Sequence, residues 1–73
     1  MKVRITLDKM SDVVDFVNAV SGVPHDVFLS DGKRQQVCAK SQLGAILAKM
    51  EWDVIYCECE ADIYAIIARY TAE

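Results

Sequence analysis

Apolar and polar residues alternate from Lys2 to Leu7, with Val3, Ile5 and Leu7 on one face and Lys2, Arg4 and Thr6 on the other. That is the period of a half-buried strand. From Ser11, a residue suited to cap a helix, the period lengthens: Val13, Phe16, Val17 and Val20 form one stripe, Asp12 and Asp15 stand near the positive end, and Gly22 and Pro24 close the segment. Asp26 to Leu29 and Lys33 to Ala39 then flank Asp31 and Gly32, a hairpin signal because glycine accepts positive φ without steric cost. A two-residue turn would set Val27 opposite Gln36, whereas a three-residue loop with Gly32 left-handed puts Val27, Leu29, Val37 and Ala39 on one face. The second is favoured. Ser41 sits at a second N-cap, and Leu43, Ile46, Leu47 and Met50 follow at i, i+3, i+4, i+7, with Gly44 among them. Val54 to Glu60 alternates again, Ile55, Cys57 and Cys59 opposing Val54, Tyr56, Glu58 and Glu60. From Asp62 onward, Ile63, Ile66, Ile67 and Tyr70 predict a third amphipathic helix. The expected order is βαββαβα, an α+β fold.

Seventy-three residues make one small domain, near the lower limit for a core that holds without disulfides or metal. With 53% hydrophobic residues, one Pro and three Gly, the whole chain is expected to be ordered. A net charge of -3 with interspersed signs lacks the clustered Lys and Arg footprint of a nucleic-acid binder, and offers no membrane-binding patch. Protein or small-molecule partners remain. The start, MKVRITLDK, has no continuous apolar core, so neither a signal peptide nor a membrane span is expected there. Three cysteines, with Cys57 and Cys59 one residue apart, make no disulfide framework and fit a reducing compartment. The expected location is cytoplasmic.

The run AKSQLGAIL, with its K-S-x-x-G-hydrophobic pattern, resembles the serine-capped second helix of HPr, the histidine-containing phosphocarrier of the bacterial sugar phosphotransferase system. FVNAVSGV is similar to that family's first helix, and the element order agrees over almost the whole chain. The resemblance implies an open-faced β-sandwich: four antiparallel strands in the order first, fourth, second, third, with three helices on one face. It also implies that Ser41 corresponds to a regulatory phosphorylation site, and that Gln42, Leu43, Ile46 and Met50 lie on a docking face. The departure is at the family's active site. Its Gly-Leu-His-Ala-Arg-Pro loop is replaced by Asp8, Lys9 and Met10, which puts Lys9 at the position of the phosphorylated histidine and Ser11 at that of the arginine. An ammonium offers no free lone pair. The lone histidine, His25, follows the first helix and is expected at the opposite end of the sheet.

Candidate chemistry is otherwise sparse. Ser41 is suited to capping alone, and equally placed for a phosphate to meet the positive end of a helix. The Leu43, Ile46, Leu47, Met50 stripe is expected mainly in the core, with part of that helix facing a partner. Cys57 and Cys59 are expected as small buried hydrophobes rather than metal ligands, and Cys38 as more exposed. Phe28 and Tyr56 are expected as neighbours on the uncovered sheet face, beside Lys2, Arg4, Glu58 and Glu60. Cross-strand pairing and self-association as a homodimer both explain such a patch. Trp52 either plugs the end of the core or anchors an interface. No catalytic set, metal or cofactor is expected. The leading expectation is a non-enzymatic, HPr-like protein-binding or regulatory module of the phosphotransferase system. The alternatives are a component phosphorylated on Ser41 and a ferredoxin-like domain binding a small ligand, the latter weakened by a first loop without glycine.

Overall fold

The computed structural model describes residues 1–72. Its elements are β1 (Lys2–Ile5), α1 (Met10–Ser21), β2 (Val27–Ser30), β3 (Gln36–Cys38), α2 (Gln42–Glu51), β4 (Ile55–Cys59) and α3 (Tyr64–Ile67), the last running into a 3₁₀ turn over Ala68–Tyr70. The strands form one antiparallel sheet in the order β1-β4-β2-β3. The fold is α+β, an open-faced sandwich of four strands and three helices.

Alternation decides the layers. Ile5, Val27, Leu29, Ile55, Cys57 and Cys59 are buried on one face of the sheet, against Val13, Phe16, Val17 and Val20 of α1 and Ile63, Ile67 and Tyr70 from the C-terminal segment. The ring of Phe16 meets that of Tyr70 edge to face, with centroids 5.3 Å apart. α1 packs between α2 and α3.

The boundaries differ from the sequence expectations where polar groups intervene. Helix α1 is capped at Lys9 rather than Ser11, and the Asp12 carboxylate accepts the Lys9 N–H at 3.0 Å. The acid therefore closes the first turn, and Ser11 lies within it. The hairpin keeps its predicted face, with Leu29 paired to Val37 and Ala39 donating to the Val27 carbonyl at 2.8 Å. Its loop runs from Asp31 to Gln35 rather than over three residues. One Asp31 oxygen accepts the N–H groups of Lys33, Arg34 and Gln35 at 2.8, 3.0 and 3.1 Å, and the Asp31 N–H closes the loop on the Gln35 carbonyl. Among the described residues Gly32 alone is left-handed, at φ 79.

The third helix is a single α turn. Ile63, Ile67 and Tyr70 all reach the core, but Ile66 is exposed. Beyond Tyr70 the chain joins the sheet edge: Thr6 donates to the Tyr70 carbonyl at 2.7 Å and Ala72 to the Arg4 carbonyl at 3.0 Å. Backbone pairing beside β1 supplies more hydrogen bonds to the sheet than another exposed helical turn would, and it ends the helix there.

Candidate functional site

Helix α2 begins where β3 ends. Ser41 is extended, at φ -92 and ψ 121, and its hydroxyl accepts the Gly44 N–H at 3.2 Å. Its own N–H donates to the Cys38 carbonyl at 3.2 Å, so the serine joins strand to helix. The N-cap read from the sequence is present, on an exposed residue.

The face that α2 presents inward differs from the expectation. Ala45 and Ala48 are fully buried, whereas Leu43 is 81% and Met50 72% exposed, Leu47 is exposed and Ile46 half-buried. Close packing explains the reversal. A Cβ built on Gly44 would lie 3.1 Å from the Cys38 carbonyl oxygen and 3.2 Å from the Val37 Cβ, so the helix rests directly on β3. Only small side chains fit beneath it.

Two lysines hold this orientation. Lys40 donates to the Val23 carbonyl at 2.6 Å, and Lys49 to the Leu7 and Asp8 carbonyls at 2.7 and 2.9 Å. The start of α2 is thereby tied to the end of α1, and the end of α2 to the start of α1. The helices run antiparallel.

That arrangement adds two residues not expected at a site: Val14, and Met10, which was expected in the first loop and instead opens α1. Met10 and Val14 are both exposed and share one flank of α1, four residues apart. Burial against its surroundings pushes the Tyr70 phenol up, against a lowering by Arg69, and the Asp15 and Asp12 charges add to the rise. Met10 and Val14 lie on the flank of α1 away from Asp12 and Asp15. Met50 and the half-buried Ile46 lie in the half of α2 that Lys49 ties to the start of α1. The adjoining ends of the two helices thus carry an exposed apolar set. In the sequence its only signal was two apolar residues that fall off the Val13, Phe16, Val17, Val20 stripe.

The other candidate residues are dispersed. Gln42 is exposed in the first turn of α2, beside Ser41. His25 is exposed in the connection from α1 to β2, and Lys9 caps the opposite end of α1. Cys57 and Cys59 are buried, and desolvation, followed by the neighbouring Cys59 and Glu58, pushes the Cys57 thiol up to about 12. Cys38 is exposed. Among the described residues, no group of three or more His, Cys, Asp or Glu is placed to hold a metal ion.

On the open sheet face, Phe28 pairs with Glu58 and Cys38, while Tyr56 pairs with Ser30 and Arg4. The aromatic rings are thus diagonal neighbours separated by polar partners, and the Lys2 ammonium lies 5.0 Å from the Tyr56 ring centroid. Arg4 stands opposite Tyr56 rather than beside an acid, because the β1 to β4 register sets Lys2 against Glu58. Phe28 and Tyr56 are both half-buried. No helix among the described residues is long and apolar enough to cross a membrane. In comparisons with known proteins, no family model, no curated protein and no solved structure matches this chain.

Proposed function

We propose that the chain is an HPr-like, non-enzymatic module that binds a protein partner through the Ser41-headed face of α2, in regulation linked to bacterial sugar phosphotransfer in the cytoplasm. One observation carries this reading. Three of the four large apolar side chains of α2, Leu43, Leu47 and Met50, are exposed while alanines fill the space beneath the helix. A domain this small gains most from burying such residues, and left outside they contribute no burial until another surface covers them. Gln42, Leu43, Ile46 and Met50 form the docking residues, extended across α1 by Met10 and Val14. The flexible methionines suit a surface that adapts to its partner.

A second reading rests on the Ser41 hydroxyl, which is exposed and aimed at the first turn of a helix. A phosphate there would gain from the helix dipole and add nearly two negative charges beside Leu43. In this reading an ATP-dependent kinase phosphorylates Ser41 and so switches docking.

The test titrates the purified protein with enzyme I and with the serine kinase of the phosphotransferase system, following heat of binding and intact mass. Saturable binding lost in Leu43→Asp, with the fold retained, supports docking. A phosphate adduct formed with ATP and the kinase, absent in Ser41→Ala, supports the switch. Transfer of phosphate from phosphoenolpyruvate through enzyme I would overturn the non-carrier reading and direct attention to His25.

A further inference from the structure

Away from the α2 face, a groove of about 480 Å³ opens at one end of the sheet, between the hairpin loop and the connection from α2 to β4. Trp52 and Tyr56 line it together with Asp31, Glu51 and Asp53, and Lys33 is its only cationic residue. Its walls are held before any ligand arrives. The Trp52 indole N–H donates to the Gln35 side-chain oxygen at 3.1 Å, fixing the ring against the hairpin. The Gly32 N–H donates to the Ser30 hydroxyl at 2.9 Å. Gly32 rests against the Tyr56 ring so closely that a Cβ there would lie 2.7 Å from a ring carbon. A side chain at that position would displace the tyrosine.

We propose that this groove binds an organic cation, an ammonium or guanidinium on an aliphatic stem. Aromatic faces and carboxylates attract the same kind of ligand, the rings through their quadrupole and the acids through charge. The Tyr56 ring shows this attraction within the protein: the Lys2 ammonium, outside the groove lining, takes one side of it on the open sheet face. A charged head beside Glu51 and Asp53 leaves an aliphatic stem to pack on the indole. The groove falls within the size range of small-ligand pockets, and fixed walls reduce the ordering cost of binding. Two sources supply this chemistry: a lysine or arginine side chain of a partner, and a free small amine.

Trp52 is the sole tryptophan, so its fluorescence and its indole N–H resonance report on the groove directly. The protein is titrated with N-acetyl-lysine methylamide, N-acetyl-arginine methylamide and putrescine. N-acetyl-norleucine methylamide, at matched ionic strength, is the uncharged control. The expected result is a saturable change for the cations and none for norleucine, with affinity reduced at least about fivefold in Glu51→Gln/Asp53→Asn. Both carboxylates are exposed, and thermal unfolding checks that the double variant keeps its fold. Saturation by the blocked amino acids identifies a partner's side chain as the source, and saturation by putrescine alone a free amine. An equal response to norleucine, no saturable response to any of the three cations, or unchanged affinity in the double variant overturns the proposal.

Discussion

α1 and α2 lie antiparallel on the same sheet and are both amphipathic, yet they are built in opposite senses. α1 buries Val13, Phe16, Val17 and Val20, leaves Ala19 at its margin, and keeps only Met10 and Val14 of its large apolar residues outside. α2 buries Ala45 and Ala48 and leaves Leu43, Leu47 and Met50 outside. The difference lies in the depth of the space each helix covers. α1 packs between α2 and α3, where Phe16 reaches Tyr70. α2 sits on β3, its Gly44 backbone against Cys38 and Val37, and has no room for a leucine. Apolar periodicity therefore locates a helix without saying which of two apolar faces turns inward, and the smaller residues mark the inner face wherever backbones approach closely.

The sharpest way to break this contrast is to truncate one large residue from each helix. Phe16→Ala should cost about 3–5 kcal/mol, since the ring is fully buried and its removal leaves a cavity. A single core in a domain of this size supplies about 3–5 kcal/mol in total, so the variant is expected to be largely unfolded by circular dichroism at 25 °C. Leu43→Ala should leave the urea midpoint within about 0.5 kcal/mol of wild type. Comparable losses at the two sites would mean that α2 packs in solution with its leucines inward. Enlarging the alanine face makes the converse measurement. Ala48→Leu should destabilise by about 1–3 kcal/mol through overpacking, despite adding apolar surface, as read from the same urea curves. A gain in stability would show that the space beneath α2 is deeper than the Gly44 contact indicates.

Much of the fold was legible because several local rules agreed. The alternation in Lys2 to Leu7 and Val54 to Glu60, the Val13 to Val20 stripe and the Asp31, Gly32 turn each pointed to one element, and Ser41 marked the start of α2 correctly. What could not be read were outcomes of tertiary competition. Ser11 loses the α1 cap because Asp12 closes the turn from within the helix. The last helix shortens because Thr71 and Ala72 find partners on β1. The α2 face inverts because of a separation between helix and strand that no periodicity encodes. On the face proposed for docking the residues were visible as a stripe, but their exposure was not, and Met10 and Val14 join them only once the lysine ties set the two helices side by side.

A smaller effect separates the structural role of Ser41 from any role in docking. Ser41→Ala removes the acceptor for the Gly44 N–H and should cost about 1 kcal/mol in urea denaturation. Ser41→Asp restores an acceptor and places a negative charge at the helix start, so its stability should match or slightly exceed that of wild type. If both variants unfold alike, the cap contributes nothing measurable, and α2 is held by its alanines and lysine ties alone.

The hairpin loop supplies a reference outside both helices, with the smallest expected effect. The hydrogen bond from the Lys33 backbone N–H, opposed by desolvation and reinforced by those from Gln35 and Arg34, holds the Asp31 carboxyl below its ordinary value of 3.8. The folded chain thus binds this proton less readily than the unfolded chain. The contribution of Asp31 is complete above the unfolded value and is lost as pH falls through the folded one, so stability should decline at pH values below about 3.8. Urea midpoints measured from pH 6 down to 2 should show this acid limb in wild type, and Asp31→Asn should flatten its last part. Leu43→Ala should leave the limb unchanged, because the Asp31 bonds involve only its own loop. A limb that moved with Leu43 would mean that the exposed face of α2 is energetically coupled to the hairpin, and the two faces of the helix could no longer be treated as independent.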